Sequence, residues 1–203
     1  MTSAVTVDRD GTVTGNTYDK YGSTNPVVRR LMARFEGTLE GLFTQADPQS
    51  LLDVGCGEGV LTHQWAQRLG DERRVVGIDL DDPALHAEWA KRTAPNLEYR
   101  VMKAENLPFA DGEFDAATAI EVLEHVPDAE HTVAEMARVA KRWLLVSVPR
   151  EPLWRGLPSS RSGPSAARRA RSATAARRAA ARCAARARRC AGPSCAGRTA
   201  GRR

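Results

Sequence analysis

The stretch Leu51-Leu52-Asp53-Val54-Gly55-Cys56-Gly57-Glu58-Gly59 decides the fold of this chain. An apolar run that ends in a carboxylate leads into a loop with glycine at every second position. Because glycine has no Cβ, such a loop bends sharply after a strand and lets a ligand approach the backbone. Leu61, Trp65 and Leu69 then recur at helical spacing, and a helix N-terminus there would direct free N–H groups at that ligand. The stretch therefore predicts a strand, a nucleotide-cofactor loop and a helix.

A second carboxylate ends the next apolar run, Val75-Val76-Gly77-Ile78-Asp79-Leu80. An acidic side chain at the tip of the neighbouring parallel strand can accept both ribose hydroxyls of an adenosine. Helix capping is the alternative role for Asp79, but Asp82 and Pro83 already supply a cap and a first-turn proline for the following helix. We therefore predict that Asp79 binds a ribose.

The glycine spacing separates this loop from dinucleotide-binding loops, which read G-x-G-x-x-G. The run from Asp53 to Gly59 instead resembles the D-x-G-x-G-x-G motif of class I S-adenosylmethionine (SAM)-dependent methyltransferases. The resemblance implies that Gly55 and Gly57 clear room for the methionine half of SAM. It also implies that Asp53 orients the loop or accepts a hydrogen bond from the cofactor's ammonium group.

The passage that runs from Lys103 to Asp115 resembles the DAENLPF–D–FD signature of the ubiquinone and menaquinone branch of that family. Lys103 stands where the family has an acidic or amide residue, so adenine would depend on the Ala104 main chain and on Glu105. A solvated surface carboxylate is the alternative reading of Glu105. Together the resemblance assigns cofactor contacts to the loop, the strand ends and this passage: Asp53, Gly55, Cys56, Gly57, Asp79, Leu80, Ala104, Glu105 and Glu121.

The last predicted site is the run Glu121-Val122-Leu123-Glu124-His125. On a helical turn Glu121, Glu124 and His125 would share one face, a ligand set suited to Mg²⁺ or Mn²⁺. The run is also similar to the metal-binding run of ubiquinone-pathway O-methyltransferases and small-RNA 2′-O-methyltransferases. In the alternative, Glu124 and His125 hold the loop while Glu121 touches the cofactor. His125 is also the candidate catalytic base, since it is the only histidine placed on this edge.

Strands predicted at about 50–55, 75–79, 97–102, 114–120 and 143–148 alternate with helical stretches, which indicates an α/β fold with a Rossmann-like, doubly wound, mainly parallel sheet. The resemblance suggests a methyltransferase domain over residues 1–154, with a helical lid at 17–45 and a cofactor core at 50–154. A helix from about Pro26 to Phe43 would turn one apolar side towards the sheet or the substrate. Its members are Val28, Leu31, Phe35, Leu39 and Leu42.

The composition changes abruptly after Trp154. Residues 1–150 hold 16 Lys and Arg against 24 Asp and Glu, a net charge of −8, whereas residues 151–203 hold 14 Arg against one Glu, a net charge of +13. With Leu157 as its only large apolar residue, the segment 155–203 predicts a low-complexity, disordered basic tail, and the sheet would lack the last two of the family's seven strands. A frameshift in a GC-rich gene is the favoured interpretation. A basic arm for nucleic acid or anionic lipid is the alternative.

The sequence as a whole predicts an enzyme, a SAM-dependent methyltransferase that acts on oxygen or carbon of a small organic acceptor. A non-catalytic nucleotide-binding protein that reaches nucleic acid through its basic tail is the alternative from another class. No apolar run is long enough to span a bilayer and no signal peptide is visible, so a cytoplasmic location is expected. The identity of the acceptor and the oligomeric state are left open by the sequence.

Overall fold

The structure is a computed structural model that describes residues 6–7, 13–14 and 26–148. Two short strands, β1 (Thr6–Val7) and β2 (Val13–Thr14), form an antiparallel pair. The remaining strands are β3 (Leu51–Val54), β4 (Val75–Asp79), β5 (Leu97–Val101), β6 (Phe114–Ile120) and β7 (Ala140–Ser147). These five strands form one sheet, parallel throughout, in the order β5-β4-β3-β6-β7.

Within the described residues, four helices accompany the sheet: α1 (Pro26–Ala46), α2 (Val60–Leu69), α3 (Pro83–Trp89) and α4 (Ala129–Val139). The chain enters the sheet at β3, moves outward to β5, and then crosses to β6 on the other side of β3. This reversal is the topological switch point at which open α/β sheets bind ligands. The predicted Rossmann-like α/β fold is therefore confirmed, while the predicted loss of two further strands concerns residues outside the described range.

The central strands are mostly apolar, as expected for a parallel sheet that is covered on both faces. Successive strand residues point to opposite faces. Leu51 lies in a buried cluster with Trp65 of α2, whereas Leu52 lies in a second cluster with Val133 and Met136 of α4. All four residues of β3 are buried, so the glycine loop that follows it starts from the buried centre of the sheet.

Helix α1 packs on the sheet layer through the side that contains Leu39 and Phe43. The Phe43 ring stacks on Trp65 with ring centroids 5.1 Å apart. Leu31 and Leu42 are 62% and 43% exposed, so the expectation that they face the sheet is wrong, while the alternative that they face the substrate stays a prediction. The reason is that α1 packs on the rest of the protein along a narrow strip of its surface. This strip is centred on Leu39 and Phe43, and Leu31 and Leu42 lie outside it.

The long loop between β5 and β6 is held on α4 by Arg138 and by Glu135, which accepts from the N–H of Leu107 at 3.2 Å. Arg138 donates hydrogen bonds to the carbonyl oxygens of Leu107 and Phe109 at 2.8 and 2.7 Å, and to the carboxylates of Glu135 and Asp111 at 2.9 Å. The hydrogen bonds from Arg138 lower the pKa of Glu135 to about 2. The passage predicted to read adenine therefore has its C-terminal half fixed on a helix of the core.

Several predictions fall on residues that the structure does not describe. These are the first part of the lid at 17–25, the side chain of Val28, and the basic tail at 155–203 with its predicted disorder and nucleic-acid role. Within the described ranges, no helix combines the length and the apolar content needed to cross a bilayer.

Candidate cofactor site

The glycine loop lies beside the tip of β4, at the carboxyl edge of the sheet. The N–H groups of Gly55 and Cys56 both donate to the carbonyl oxygen of Ile78, at 2.8 and 3.0 Å. Gly55, Gly57 and Gly59 have φ angles of 71°, 54° and 76°, in the left-handed region that favours glycine. The alternating glycines therefore follow from the path of this backbone.

The Asp79 carboxylate holds two backbone groups at this edge. One oxygen accepts from the N–H of Gly57 and the other from the N–H of Leu80, each at 2.7 Å. Because a carboxylate oxygen has two lone pairs, each oxygen keeps the capacity to accept one more hydrogen bond. Burial raises the pKa of Asp79, and the two N–H donors oppose that shift. This geometry fits the predicted contact with two ribose hydroxyls.

Asp53 lies deeper, with 4% of its surface exposed. Its two carboxylate oxygens accept from the hydroxyls of Thr62 in α2 and Thr118 in β6, at 2.6 and 2.7 Å. Burial raises the pKa of Asp53 to about 6, although both hydroxyls favour the charged form. Of the two roles predicted for Asp53, this arrangement favours orienting the loop, since the carboxylate is buried and its oxygens bind α2 and β6.

The two glycines predicted to clear room for the cofactor differ in their surroundings. A Cβ on Gly57 would meet nothing within 4 Å, so this residue faces open space. A Cβ on Gly55 would lie 2.6 Å from a methyl carbon of Val122. Gly55 therefore makes room for a protein side chain rather than for a ligand. The open space at Gly57 lies next to the Asp79 carboxylate, which accepts a hydrogen bond from the Gly57 N–H.

The other predicted contacts surround this space. Cys56 is half-buried, and burial, together with the nearby carboxylates of Asp53 and Asp79, raises the pKa of its thiol, which keeps the thiol neutral. Leu80 and Glu105 are half-buried, and Ala104 packs against the buried cluster that contains Leu52.

The residues that hold the loop from outside the motif were missed by the sequence analysis. They are Thr62, Trp89, Tyr99, Thr118 and Val122. Each looks like an ordinary core or helix residue in the sequence. Only the strand order brings them to the loop, so no local pattern in the sequence identifies them.

The turn after β6 has a different construction. Glu121 has a φ angle of 59°, which is unusual for a residue with a side chain. Its N–H donates to Ser147 Oγ at 3.0 Å, and that hydroxyl donates back to Glu121 Oε1 at 2.9 Å. Ser147, at the end of β7, was also missed by the sequence analysis. The pair fixes the Glu121 carboxylate on the side of β7.

This turn does not assemble the predicted metal ligands. Glu124 is 8% exposed, while the His125 side chain is 41% exposed, and His125 Nε2 lies 3.8 Å from Glu124 Oε1. Across the described part of the chain, no group of three or more His, Cys, Asp or Glu side chains is placed to hold a metal ion. The expectation of a shared helical face is wrong because the left-handed backbone at Glu121 interrupts the turn. The residues present do not fit a divalent cation.

The sequence matches a family described as a methyltransferase domain across residues 52–143. Three similar curated proteins are ubiquinone biosynthesis O-methyltransferases. The protein of Hahella chejuensis is 40% identical over 94 residues, 45% of this chain and 38% of that protein. The protein of Albidiferax ferrireducens is 43% identical over 99 residues, 46% and 37% of the two chains. The protein of Alkalilimnicola ehrlichii is 38% identical over 120 residues, 58% and 44% of the two chains.

Solved structures are also similar. A SAM-dependent methyltransferase from Aquifex aeolicus is 19% identical with a TM-score of 0.47, over 56% of this chain and 67% of that chain. A protein from Pyrococcus horikoshii is 25% identical with a TM-score of 0.48, over 61% and 58% of the two chains.

The chain thus spans less than half the length of these three curated relatives. Those relatives are enzymes, and nothing found favours the alternative of a non-catalytic nucleotide-binding protein. The glycine loop, the acidic tip of β4 and the order of the strands agree with the family match. Across residues 52–143 the chain therefore carries a domain that matches the methyltransferase family, in agreement with its resemblance to class I SAM-dependent methyltransferases.

Proposed function

We propose that this chain transfers the methyl group of SAM to a hydroxyl oxygen of a small organic acceptor. The observation that carries the proposal is the Asp79 carboxylate beside the open space at Gly57. The three curated relatives are named ubiquinone biosynthesis O-methyltransferases, which supports oxygen as the methylated atom and a phenol of the quinone-precursor type as the acceptor. Methylation at carbon, which the sequence left open, is the alternative outcome of the test.

The residues around the glycine loop and the tip of β4 would each contact a different part of SAM. Asp79 accepts from the ribose hydroxyls, and the open face of Gly57 admits the methionine half. Leu80, the Ala104 main chain and Glu105 surround the adenine. SAM, when bound, supplies a methyl group activated by its sulfonium centre.

Most of the rate enhancement in such a transfer can come from holding the acceptor oxygen in line with the methyl group. His125 would accept the proton that the acceptor hydroxyl loses. The buried carboxylate of Glu124, whose Oε1 lies 3.8 Å from His125 Nε2, would favour the protonated imidazole that results. Because 41% of the His125 side chain is exposed, the proton can pass on to solvent.

The divalent cation predicted from the sequence has no place in this scheme, since the described side chains do not gather around one point. Turnover measured in EDTA, and again after addition of Mg²⁺ or Mn²⁺, tests whether the reaction needs a divalent cation. We expect the rate to stay unchanged. A rate that collapses in EDTA and returns with either cation would restore the cation to the reaction.

The main experiment is calorimetric titration of the full chain with S-adenosylhomocysteine (SAH), with NAD as the control ligand. We expect saturable binding of SAH and weaker or absent binding of NAD. Transfer of labelled methyl from SAM to a panel of catechols and hydroxybenzoates then tests the acceptor class, and product analysis separates oxygen from carbon. Tighter binding of NAD than of SAH would overturn the proposal. A cytoplasmic site for the reaction belongs to the same proposal, and fractionation of cells that produce a tagged chain tests it.

A further inference from the structure

We infer that Trp89 and Tyr99 are positioning residues that fix the glycine loop in its cofactor-binding shape. Trp89 is the last residue of α3 and Tyr99 lies in β5, so neither belongs to the loop or to its motif. The inference rests on the proposed binding of SAM. It extends that proposal to two residues that are distant from the loop in the sequence and contact it in the fold.

The two aromatic side chains hold two carbonyl groups of the loop. Trp89 Nε1 donates to the carbonyl oxygen of Gly57 at 2.8 Å, and the Tyr99 hydroxyl donates to the carbonyl oxygen of Gly59 at 3.2 Å. The indole and phenol rings stack on each other, with centroids 5.1 Å apart and planes inclined by 4°. Because each ring supports the other, the two hydrogen bonds form one aromatic clamp on the loop.

The aromatic clamp acts at the point where the loop meets Asp79. The N–H of Gly57 donates to the Asp79 carboxylate, while its carbonyl accepts from Trp89. Both backbone groups of Gly57 are thus held by side chains from other elements. Glycine has the widest range of backbone conformations, so a loop with three alternating glycines gains its fixed shape from such external contacts.

The path of Tyr99 to the loop depends on another glycine. Gly77 of β4 is paired with Tyr99 of β5, and a Cβ on Gly77 would lie 3.0 Å from Tyr99 Cδ1. Without that Cβ, the phenol ring lies across β4 and reaches the loop that follows β3. At the far end, a Cβ on Gly59 would lie 2.8 Å from Tyr99 Cζ. Gly59 therefore accommodates the tyrosine ring.

The surroundings of Trp89 and Tyr99 favour the hydrogen bonds that their N–H and O–H groups donate to the loop. Trp89 is 8% exposed, so its N–H has little access to water and depends on the Gly57 carbonyl. Tyr99 is half-buried, and burial raises the pKa of its phenol, so the hydroxyl keeps its proton in neutral solution.

The test compares Trp89→Phe and Tyr99→Phe with a matched control, Trp65→Phe. Trp65 is 3% exposed and stacks on Phe43 at 5.1 Å, which gives it a similar aromatic environment at the contact between α1 and α2. SAH affinity by calorimetry, the melting temperature, and KM for SAM against kcat are measured for each full-length variant. Loss of one buried hydrogen bond predicts an SAH affinity roughly 5- to 30-fold lower for Trp89→Phe and Tyr99→Phe, with KM raised and kcat at saturating SAM preserved.

The control separates positioning from general stability. Trp65→Phe is expected to lower the melting temperature while leaving SAH affinity within about twofold of the wild type. Wild-type affinity in both Trp89→Phe and Tyr99→Phe would overturn the inference and leave the proposed function intact, as would an equal loss of affinity in Trp65→Phe. A wild-type chain that does not bind SAH would overturn the proposed function and, with it, this inference.

Discussion

The two sides of the carboxyl edge differ in how their functional groups are held. On the cofactor side (Asp53, the loop 55–59 and Asp79), the polar groups are bonded to side chains or backbone of β4, β5, α2, α3 and β6. On the acceptor side (the turn 121–128), Ser147 holds Glu121, and the His125 side chain is 41% exposed. We therefore expect the proposed cofactor binding to depend on the core of the sheet and to be separable from the proposed methyl transfer.

The largest expected effect belongs to the acceptor side. His125→Gln should lower kcat by about 100- to 10,000-fold, because the acceptor hydroxyl loses its proton acceptor. SAH affinity by calorimetry should stay within about twofold of the wild type. His131→Gln, an exposed histidine of α4, is the matched control and should leave kcat unchanged. A wild-type kcat in His125→Gln would remove this residue from the proton transfer.

Gly55→Ala tests how tightly the cofactor side is built. A Cβ at a φ of 71° and in contact with Val122 should reduce the free energy of unfolding by about 3 kcal/mol, measured by urea denaturation. Adding Val122→Ala should restore the unfolding free energy lost through steric overlap. It should not restore the unfolding free energy lost through backbone strain at residue 55. Gly37→Ala in α1, where a Cβ meets nothing within 4 Å, is the control and should raise stability slightly. Equal stabilities for Gly55→Ala and the wild type would contradict the loop geometry.

Asp79→Asn tests the double role of the acidic tip of β4. An amide nitrogen cannot accept from a backbone N–H or from a ribose hydroxyl, so SAH affinity should fall by roughly 10- to 100-fold. Asp82→Asn is the matched control, because Asp82 caps α3 through Ala84 and asparagine caps helices about as well. If both variants bind SAH like the wild type, Asp79 is not the ribose ligand.

Asp53→Asn sharpens the comparison through its pH dependence. Because the pKa of Asp53 rises from 3.8 in the unfolded chain to about 6 in the folded chain, the folded chain binds the proton more tightly. The stability from this group is therefore complete below pH 4 and is lost as the pH rises through 6. Relative to Asp53→Asn, the wild type should lose about 1 kcal/mol of unfolding free energy between pH 5 and pH 7. A constant difference across that range would contradict the assigned burial of this carboxylate.

The smallest effect is expected for Lys103→Ala. Lys103 is exposed and stands where the family has an acidic or amide residue. Since the adenine contacts are assigned to the Ala104 main chain and to Glu105, SAH affinity should change by less than about twofold. A tenfold loss, measured by the same calorimetry, would show that the lysine itself contacts the cofactor.

Local patterns predicted the elements well because the strands are short apolar runs and the loop has a distinctive glycine spacing. The strand Val75–Asp79 and the start of α1 at Pro26 lie where the sequence placed them. The run at Glu121 was misjudged because its spacing suggests a helical turn, whereas the backbone there is left-handed. Such a conformation is fixed by Ser147, 26 residues away, and no local pattern records it.

The same limit applies to the supports of the loop. Thr118 reaches Asp53 across 65 residues and Tyr99 reaches Gly59 across 40, because β3 lies between β4 and β6 in the sheet. The residues predicted to contact the ligand belong to a recognisable motif, so a local pattern was enough to select them. The residues that face the loop from behind were missed, since these are chosen by the packing of distant elements.

The contacts of Arg138 determine how the β5–β6 loop is expected to move. Its guanidinium holds the carbonyls of Leu107 and Phe109, and its own carbonyl accepts from the N–H of Gly112 at 2.8 Å. An outward swing of the β5–β6 loop would leave a cation and several backbone groups without their partners at once. In amide hydrogen exchange, this loop and the end of α4 should therefore open as one unit, at the slow rate of the core.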